Sequence, residues 1–120
     1  MLPAASRMRK SSEFARVVRG GTRSGRTLLS GHLLRQADSD DPARVGFVVS
    51  RAVGGAVVRN RVRRRLRHLA RGYLGSLPEG SLLVVRANPR AATAGQADLA
   101  AELDLVIRAL LRRQGGTQRT

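Results

Sequence analysis

Residues 56–71 read Ala56-Val57-Val58-Arg59-Asn60-Arg61-Val62-Arg63-Arg64-Arg65-Leu66-Arg67-His68-Leu69-Ala70-Arg71. Seven arginines lie between Arg59 and Arg71 with no acid among them, and the nearest carboxylates are Asp41 and Glu79. Through the same segment Val58, Val62, Leu66, Leu69 and Tyr73 recur at steps of four, four, three and four. At roughly 100° per residue these positions share one face of an α-helix. With Val62 as origin, Asn60, Arg64, Arg67 and Arg71 lie within about 40° of the opposite pole. Arg61 and His68 flank that pole on one side and Arg63 on the other. The pattern predicts a helix over 57–74 whose back is buried in a core and whose front presents guanidinium groups.

A solvated helix face usually mixes signs, because opposite charges four residues apart support the helix and like charges oppose it. Arg63 with Arg67, and Arg67 with Arg71, are like-charge pairs at that spacing, each costing a few tenths of a kcal/mol, on the order of 0.3. Repeated acceptance of that cost points to neutralisation by a polyanion. The whole chain agrees: 23 Lys and Arg stand against 8 Asp and Glu, a net charge of +15 in 120 residues. Such an excess speaks to nucleic acid or an anionic membrane surface as partner, and says little about fold. Only Lys10 is a lysine. Arginine's planar fork suits phosphate and base edges, and a coding bias of the source genome accounts for the preference equally well.

Composition narrows the classes further. The length gives one domain with a modest core, and 42% hydrophobic residues without biased tracts argue for a folded chain. With no cysteine, disulfides, thiolate metal sites and Cys nucleophiles are excluded. His32 and His68 are too few and too far apart for a zinc site. No apolar run reaches the roughly 18 residues of a membrane span, and the first residues lack the apolar centre of a signal peptide, so the expected location is cytoplasmic. Aromatic residues make up 2% of the chain, too few for a single-strand binder built on stacking. Phosphate and shape contacts by arginine are expected to carry most of the affinity.

Outward from the arginine helix, the expected elements are these. Residues 1–10, with Arg7, Arg9 and Lys10, form a flexible basic arm. Ser11 or Ser12 caps a short helix from Glu13 to about Arg19, ended by Gly20-Gly21, with Phe14, Val17 and Val18 apolar. Residues 22–26 are a short edge strand or a loop. Residues 28–35 form a strand with a bulge at Ser30-Gly31, and the Asp- and Pro-containing stretch 36–42 is a turn. Arg44-Val45-Gly46-Phe47-Val48-Val49-Ser50-Arg51 is the clearest strand, expected to pair antiparallel with 28–35. Residues 81–87 are another buried strand, closed by Asn88-Pro89. Thr93 to Gln96 fits a capping box for a last helix striped by Leu99, Leu103, Val106, Ile107, Leu110 and Leu111. A polar tail, 114–120, closes a single α+β domain spanning 1–120.

The stretch 44–50 followed by Ala56-Val57-Val58-Arg59-Asn60-Arg61-Val62-Arg63-Arg64 resembles the bacterial ribonuclease P protein subunit. Arg59-Asn60-Arg61 with its following basic pair carries the resemblance. Leu2-Pro3, Glu13-Phe14, Gly21-Thr22-Arg23, Leu82 to Pro89 and the last helix also fall where that family has them. The resemblance implies an α/β sandwich of order αβββαβα, with the arginine helix as a left-handed crossover between parallel neighbouring strands, where general rules favour right-handed. It implies a cofactor of a catalytic RNA that removes 5′ leaders from precursor tRNA, with catalysis and Mg²⁺ held in the RNA. No catalytic residue, metal ligand, organic cofactor or obligate protein partner is then expected in the protein.

Two surfaces follow from the same resemblance. Arg59, Asn60, Arg61, Arg63, Arg64 and Arg67 match the helix positions that face the catalytic RNA, with Arg71 on the same face and Arg51 at the end of the long strand. Phe14, Val18 and His32 match a cleft that holds the single-stranded leader. Ala52 and Gly55 depart from the family pattern, and Val18 stands where an aromatic is frequent, which weakens stacking on the leader. On sequence alone Phe14 and Phe47 read as core residues, and the resemblance brings a leader contact level with core packing for Phe14. The competing function is a ribosomal or general structured-RNA-binding protein with no part in cleavage. A DNA-binding regulator lacks a preceding helix or ribbon to orient 57–74 in a groove, and a membrane-surface helix lacks aromatic anchors.

Overall fold

The computed structural model describes residues 4–36 and 38–119; Leu2-Pro3 and the start of the basic arm lie outside them. The arginine helix, α2, spans Ala56–Arg71. It is entered through Gly55, whose carbonyl accepts the Arg59 N–H at 2.9 Å. It ends near Gly72, and a separate 3-10 turn, Leu74–Ser76, follows where the apolar periodicity predicts continued helix. Val62 and Leu66 are fully buried and Ala70 nearly so, while Val58, Leu69 and Tyr73 pack on the same core from its margin.

The other elements are α1 (Ser11–Gly20), β1 (Thr22–Gly25), β2 (Leu29–Arg35), β3 (Arg44–Val48), β4 (Ser81–Ala87) and α3 (Gln96–Arg119). Residues 22–26, left open between strand and loop, thus supply β1. The first helix starts at Ser11 with Lys10 in the cap position, two residues before the serine caps predict. Gly95 caps α3, its carbonyl accepting the Leu99 N–H at 3.1 Å, and α3 continues through the glycine pair at 115–116. Gln114, placed by sequence in a tail, donates from its amide to Thr22 Oγ1 at 3.2 Å and the Leu33 carbonyl at 3.3 Å. At the other terminus Arg7 bridges to Val45 and the Met8 N–H donates to the Val45 carbonyl at 3.1 Å.

The sheet order is β1-β2-β4-β3, so the expected β2–β3 hairpin does not form. β4 lies between the two strands, antiparallel to β2 and parallel to β3. The turn-forming residues after β2 are therefore not a hairpin turn but a link across the width of one strand. A parallel pair requires a crossover, and α2 supplies it. Leu82 to Val85 are all buried because β4 is central and covered on both faces.

Alternation assigns the two faces. Leu29, Leu33, Val45, Leu83, Val85 and Ala87 meet α2 and α3 in the main core. Val84 and Leu82, with Leu34 and Val48 at their edges, meet Met8, Phe14 and Val17 in a smaller core under α1. Phe14 packs on Gly46, where a Cβ would lie 2.4 Å from its ring. α1 is also tied to β3 by a bidentate pair from Arg44 to Glu13, 2.7 Å at its shorter contact. Glu102 Oε1 accepts the Leu28 N–H at 2.8 Å and the Leu29 N–H at 3.3 Å, anchoring α3 on the start of β2.

The expected bulge at Ser30-Gly31 is absent: the β2–β4 register runs unbroken from Leu29 to Arg35. Gly31 is needed for packing instead, since a Cβ there would stand 2.5 Å from Val106 Cγ1 and 3.0 Å from Leu110 Cδ1. Gly31→Ala is expected to destabilise the protein by about 1–3 kcal/mol through overpacking of the α3 contact. A urea titration that leaves the midpoint in place would refute this account of the glycine.

Candidate nucleic-acid interface

The buried side of α2 fixes where its arginines go. Arg64 and Arg71, near the pole opposite Val62, are exposed, as is Asn60. Asn60 Oδ1 accepts a hydrogen bond from Arg63 Nη1 at 3.0 Å, which steadies one turn of the face. Arg61 donates to the Ala92 carbonyl at 3.3 Å and Arg65 to the Ala94 carbonyl at 3.2 Å. These two therefore brace α2 against the segment leading into α3, a role for Arg65 that the helical wheel does not reveal. Arg59 is half-buried, and its Nε has no hydrogen-bond partner among the described residues.

On the opposite flank Arg63 and Arg67 turn toward Arg7, Phe14 and Phe47 around a narrow cleft of about 90 Å³. Arg67 carries its charge against burial and against the neighbouring Arg7 and Arg63, which together lower its pKa from the ordinary arginine value. The two ion pairs between described side chains, Arg44–Glu13 and Arg108–Asp104, involve no arginine of α2. Uncompensated like charge on a rigid helix is an electrostatic footprint for a polyanion.

A second, larger cleft of about 580 Å³ opens on the sheet face that α1 leaves uncovered. Its floor is built by strand alternation. His32 on β2 is paired with Arg23 of β1, and Ser30, two residues earlier on the same face, with Arg86 of β4. Val18 of α1 forms one wall, and Ser50, Ala52, Asn88 and Pro89 contribute the rest of the rim. Asn88 is held by its side-chain amide, which donates to the Arg26 carbonyl at 2.8 Å and the Thr27 carbonyl at 3.3 Å. His32 is only 6% exposed, and burial, then Arg23, then Arg86, push its pKa below the ordinary histidine value. Burial and the two neighbouring cations thus favour the neutral imidazole.

The structure thus brings together Val18 and His32 but not Phe14. That ring sits in the smaller core and reaches the narrow cleft beside α2. The ring is half-buried, so it packs on the core with one side and lines that cleft with the other. Arg51 is exposed on the loop between β3 and α2, next to the cleft residues Ser50 and Ala52, so the loop connects the two basic surfaces. Tyr73, read as a core residue, keeps a polar tip: its hydroxyl donates to Asp104 at 2.8 Å, and burial, then this bond, raises its pKa. Arg23 and Arg86 were not singled out by sequence. Both fall in stretches that carry the resemblance, but only the strand pairing places them on one sheet face.

Comparison with known proteins agrees with this architecture. The profile of the ribonuclease P family matches residues 2–111. A ribonuclease P protein component of Streptomyces bikiniensis is 52% identical over 125 residues, covering 98% of this chain and 100% of that protein. One from Nocardioides sp. is 55% identical over 113 residues, covering 93% and 94%. Among solved structures, the Staphylococcus aureus RNase P protein superposes with a TM-score of 0.78 at 23% identity, over 88% of this chain and 94% of that one. The Thermotoga maritima RNase P protein gives 0.71 at 22%, over 88% and 96%. Both share the fold of three helices on a four-stranded mixed sheet. With a profile that spans nearly its whole length and relatives more than half identical to it, the chain belongs to the ribonuclease P protein family.

Proposed function

We propose that this chain is the protein cofactor of the ribozyme ribonuclease P, binding its catalytic RNA and the 5′ leader of precursor tRNA in the cytoplasm. The observation that carries the reading is the front of α2, a row of arginines with no carboxylate partner among the described residues, beside a cleft with no acid in its described lining. Arg59, Asn60, Arg61, Arg63, Arg64, Arg67, Arg71 and Arg51 form the face for the catalytic RNA. Guanidinium forks there replace counterions along the RNA backbone, so affinity falls steeply with salt. Val18 and His32 belong to the leader cleft, while Phe14, on the inner side of α1, packs that helix onto Gly46 of β3. Mg²⁺ held by the RNA supplies the hydrolytic chemistry, and the protein's part is to bind and orient the substrate.

The test is cleavage of precursor tRNA by a bacterial ribonuclease P RNA at low Mg²⁺, with and without the protein. Strong stimulation that disappears at high salt is the expected result. Tight RNA binding without stimulation would instead favour a general structured-RNA-binding role, and cleavage by the protein alone would mean that it contains an active site of its own.

A further inference from the structure

Of the seven arginines between Arg59 and Arg71, one stands apart from the front of α2. Arg65 lies three residues beyond Val62, hence about 60° round the helix from the buried centre line, and it is partly buried. It takes part in neither ion pair between described side chains. Its Nη1 instead donates to the Ala94 carbonyl at 3.2 Å, and Arg61, one turn earlier on the same flank, donates from Nη2 to the Ala92 carbonyl at 3.3 Å. Both acceptors belong to a segment that is itself held firmly. The Asn88 N–H donates to the Leu28 carbonyl at 2.9 Å, Ala91 is fully buried within the 3-10 turn Pro89–Thr93, and Leu99 anchors the first turn of α3 in the main core.

The other restraints on α2 resist its roll about its own axis less well. Its buried residues, Val62, Leu66 and Ala70, are spaced four apart in one narrow row, with Val58 and Leu69 packed at the margin. Gly55 stands at the N-cap without a side-chain hydrogen bond, and Gly72 follows at the other end. The hydroxyl of Tyr73, donating to Asp104 at 2.8 Å, ties down that far end. The half that carries Arg59, Asn60, Arg63 and Arg64 is braced by Arg61 and Arg65. A roll of about 20° moves a guanidinium about 8 Å from the axis by roughly 3 Å, a whole hydrogen-bond length. We infer that Arg65 is a positioning residue for RNA binding: its grip on the Ala94 carbonyl sets the roll of α2, so that the arginines of the front meet their phosphates in place, without Arg65 touching RNA. The inference rests on the function proposed above. Arg61 shares the grip but is exposed and belongs to the RNA face, so Arg65 is the residue that isolates the effect. A face held ready loses less freedom on binding, and the gain appears as affinity.

The experiment measures the affinity of the full chain for a bacterial ribonuclease P RNA across a range of salt, well below the melting temperature of every variant. Arg65→Met keeps the length of the side chain and the packing of its stem but removes the donor. It is expected to weaken binding about fivefold, while the slope of log affinity against log salt stays that of the unaltered chain. Arg64→Ala, the comparison, is expected to lower that slope by about 0.9, the mark of one lost phosphate. Arg65→Lys still offers a cationic donor and is expected to recover most of the affinity. A slope lowered in Arg65→Met as in Arg64→Ala overturns the inference, because Arg65 is then itself a phosphate contact. Unchanged affinity in Arg65→Met overturns it by making the brace dispensable, and a lysine variant no better than the methionine one overturns the role of the donor. If the unaltered chain fails to bind the RNA, the cofactor function itself falls.

Discussion

Leu66→Ala is expected to destabilise the protein by about 2–5 kcal/mol, enough to remove a large part of the stability of an ordinary domain. Leu66 is fully buried in the main core, at the centre of the α2 stripe, between Val62 and Ala70. Truncation removes the transfer free energy of the lost methyl groups and leaves a cavity that the close-packed core around it closes only in part. A melting temperature lower by roughly 10–20 °C is the readout. The position also separates two outcomes for RNA binding. If Leu66 only holds the helix to the sheet, RNA affinity falls in step with the folded fraction and returns at lower temperature. An unchanged melting temperature would mean that α2 is rotated from the orientation described.

The double variant Arg64→Ala, Arg71→Ala addresses the opposite face. Both residues are exposed, so little packing is lost, and removing like charge from the helix relieves repulsion with Arg67. Stability is therefore expected to hold or to rise slightly. Affinity for the catalytic RNA is expected to fall by about tenfold or more per lost phosphate contact, with a shallower dependence on salt. The combination of intact melting and weakened, less salt-sensitive binding distinguishes a contact surface from a structural one. Affinity and salt slope both equal to those of the unaltered chain would remove this face of α2 from the RNA interface.

Much of this arrangement was legible in the sequence wherever a periodicity was long. The α2 stripe and the α3 stripe each repeat over several turns, so their buried faces followed from spacing alone. Strand pairing was not legible, because alternation states which residues share a face and not which strand lies alongside. The proximity of 28–35 to 44–51 in the chain favours a hairpin, and the uninterrupted apolar run Leu82 to Val85 was the one local sign that its strand is central. The glycines were misread for a related reason. Gly31 has an ordinary strand neighbourhood in sequence, and only the arrival of Val106 and Leu110 from a distant helix explains it. The same limit concealed Arg23 and Arg86, which lie 63 residues apart in the chain and come together only through β2. Phe14 was ambiguous because an aromatic on a short amphipathic helix fits a core and a binding cleft equally well until Gly46 is seen beneath it.

The position of β4 between β2 and β3 also bears on how the chain is made. On a ribosome the strands emerge in numerical order, so β2 and β3 are released with the gap between them still unfilled. The β1–β2 hairpin is closed by local contacts, but the sheet cannot become continuous until residues 81–87 have left the exit tunnel. Non-local pairing of this kind delays folding, because the entropy of closing the intervening loop is lost before the contacts that reward it form. Through that interval the basic segment of α2 has been synthesised without a completed sheet to rest on. Translation arrested before Ser81 should therefore leave a protease-sensitive, RNA-adhesive nascent chain, and resistance should appear in one step once β4 and the helix that follows it are free.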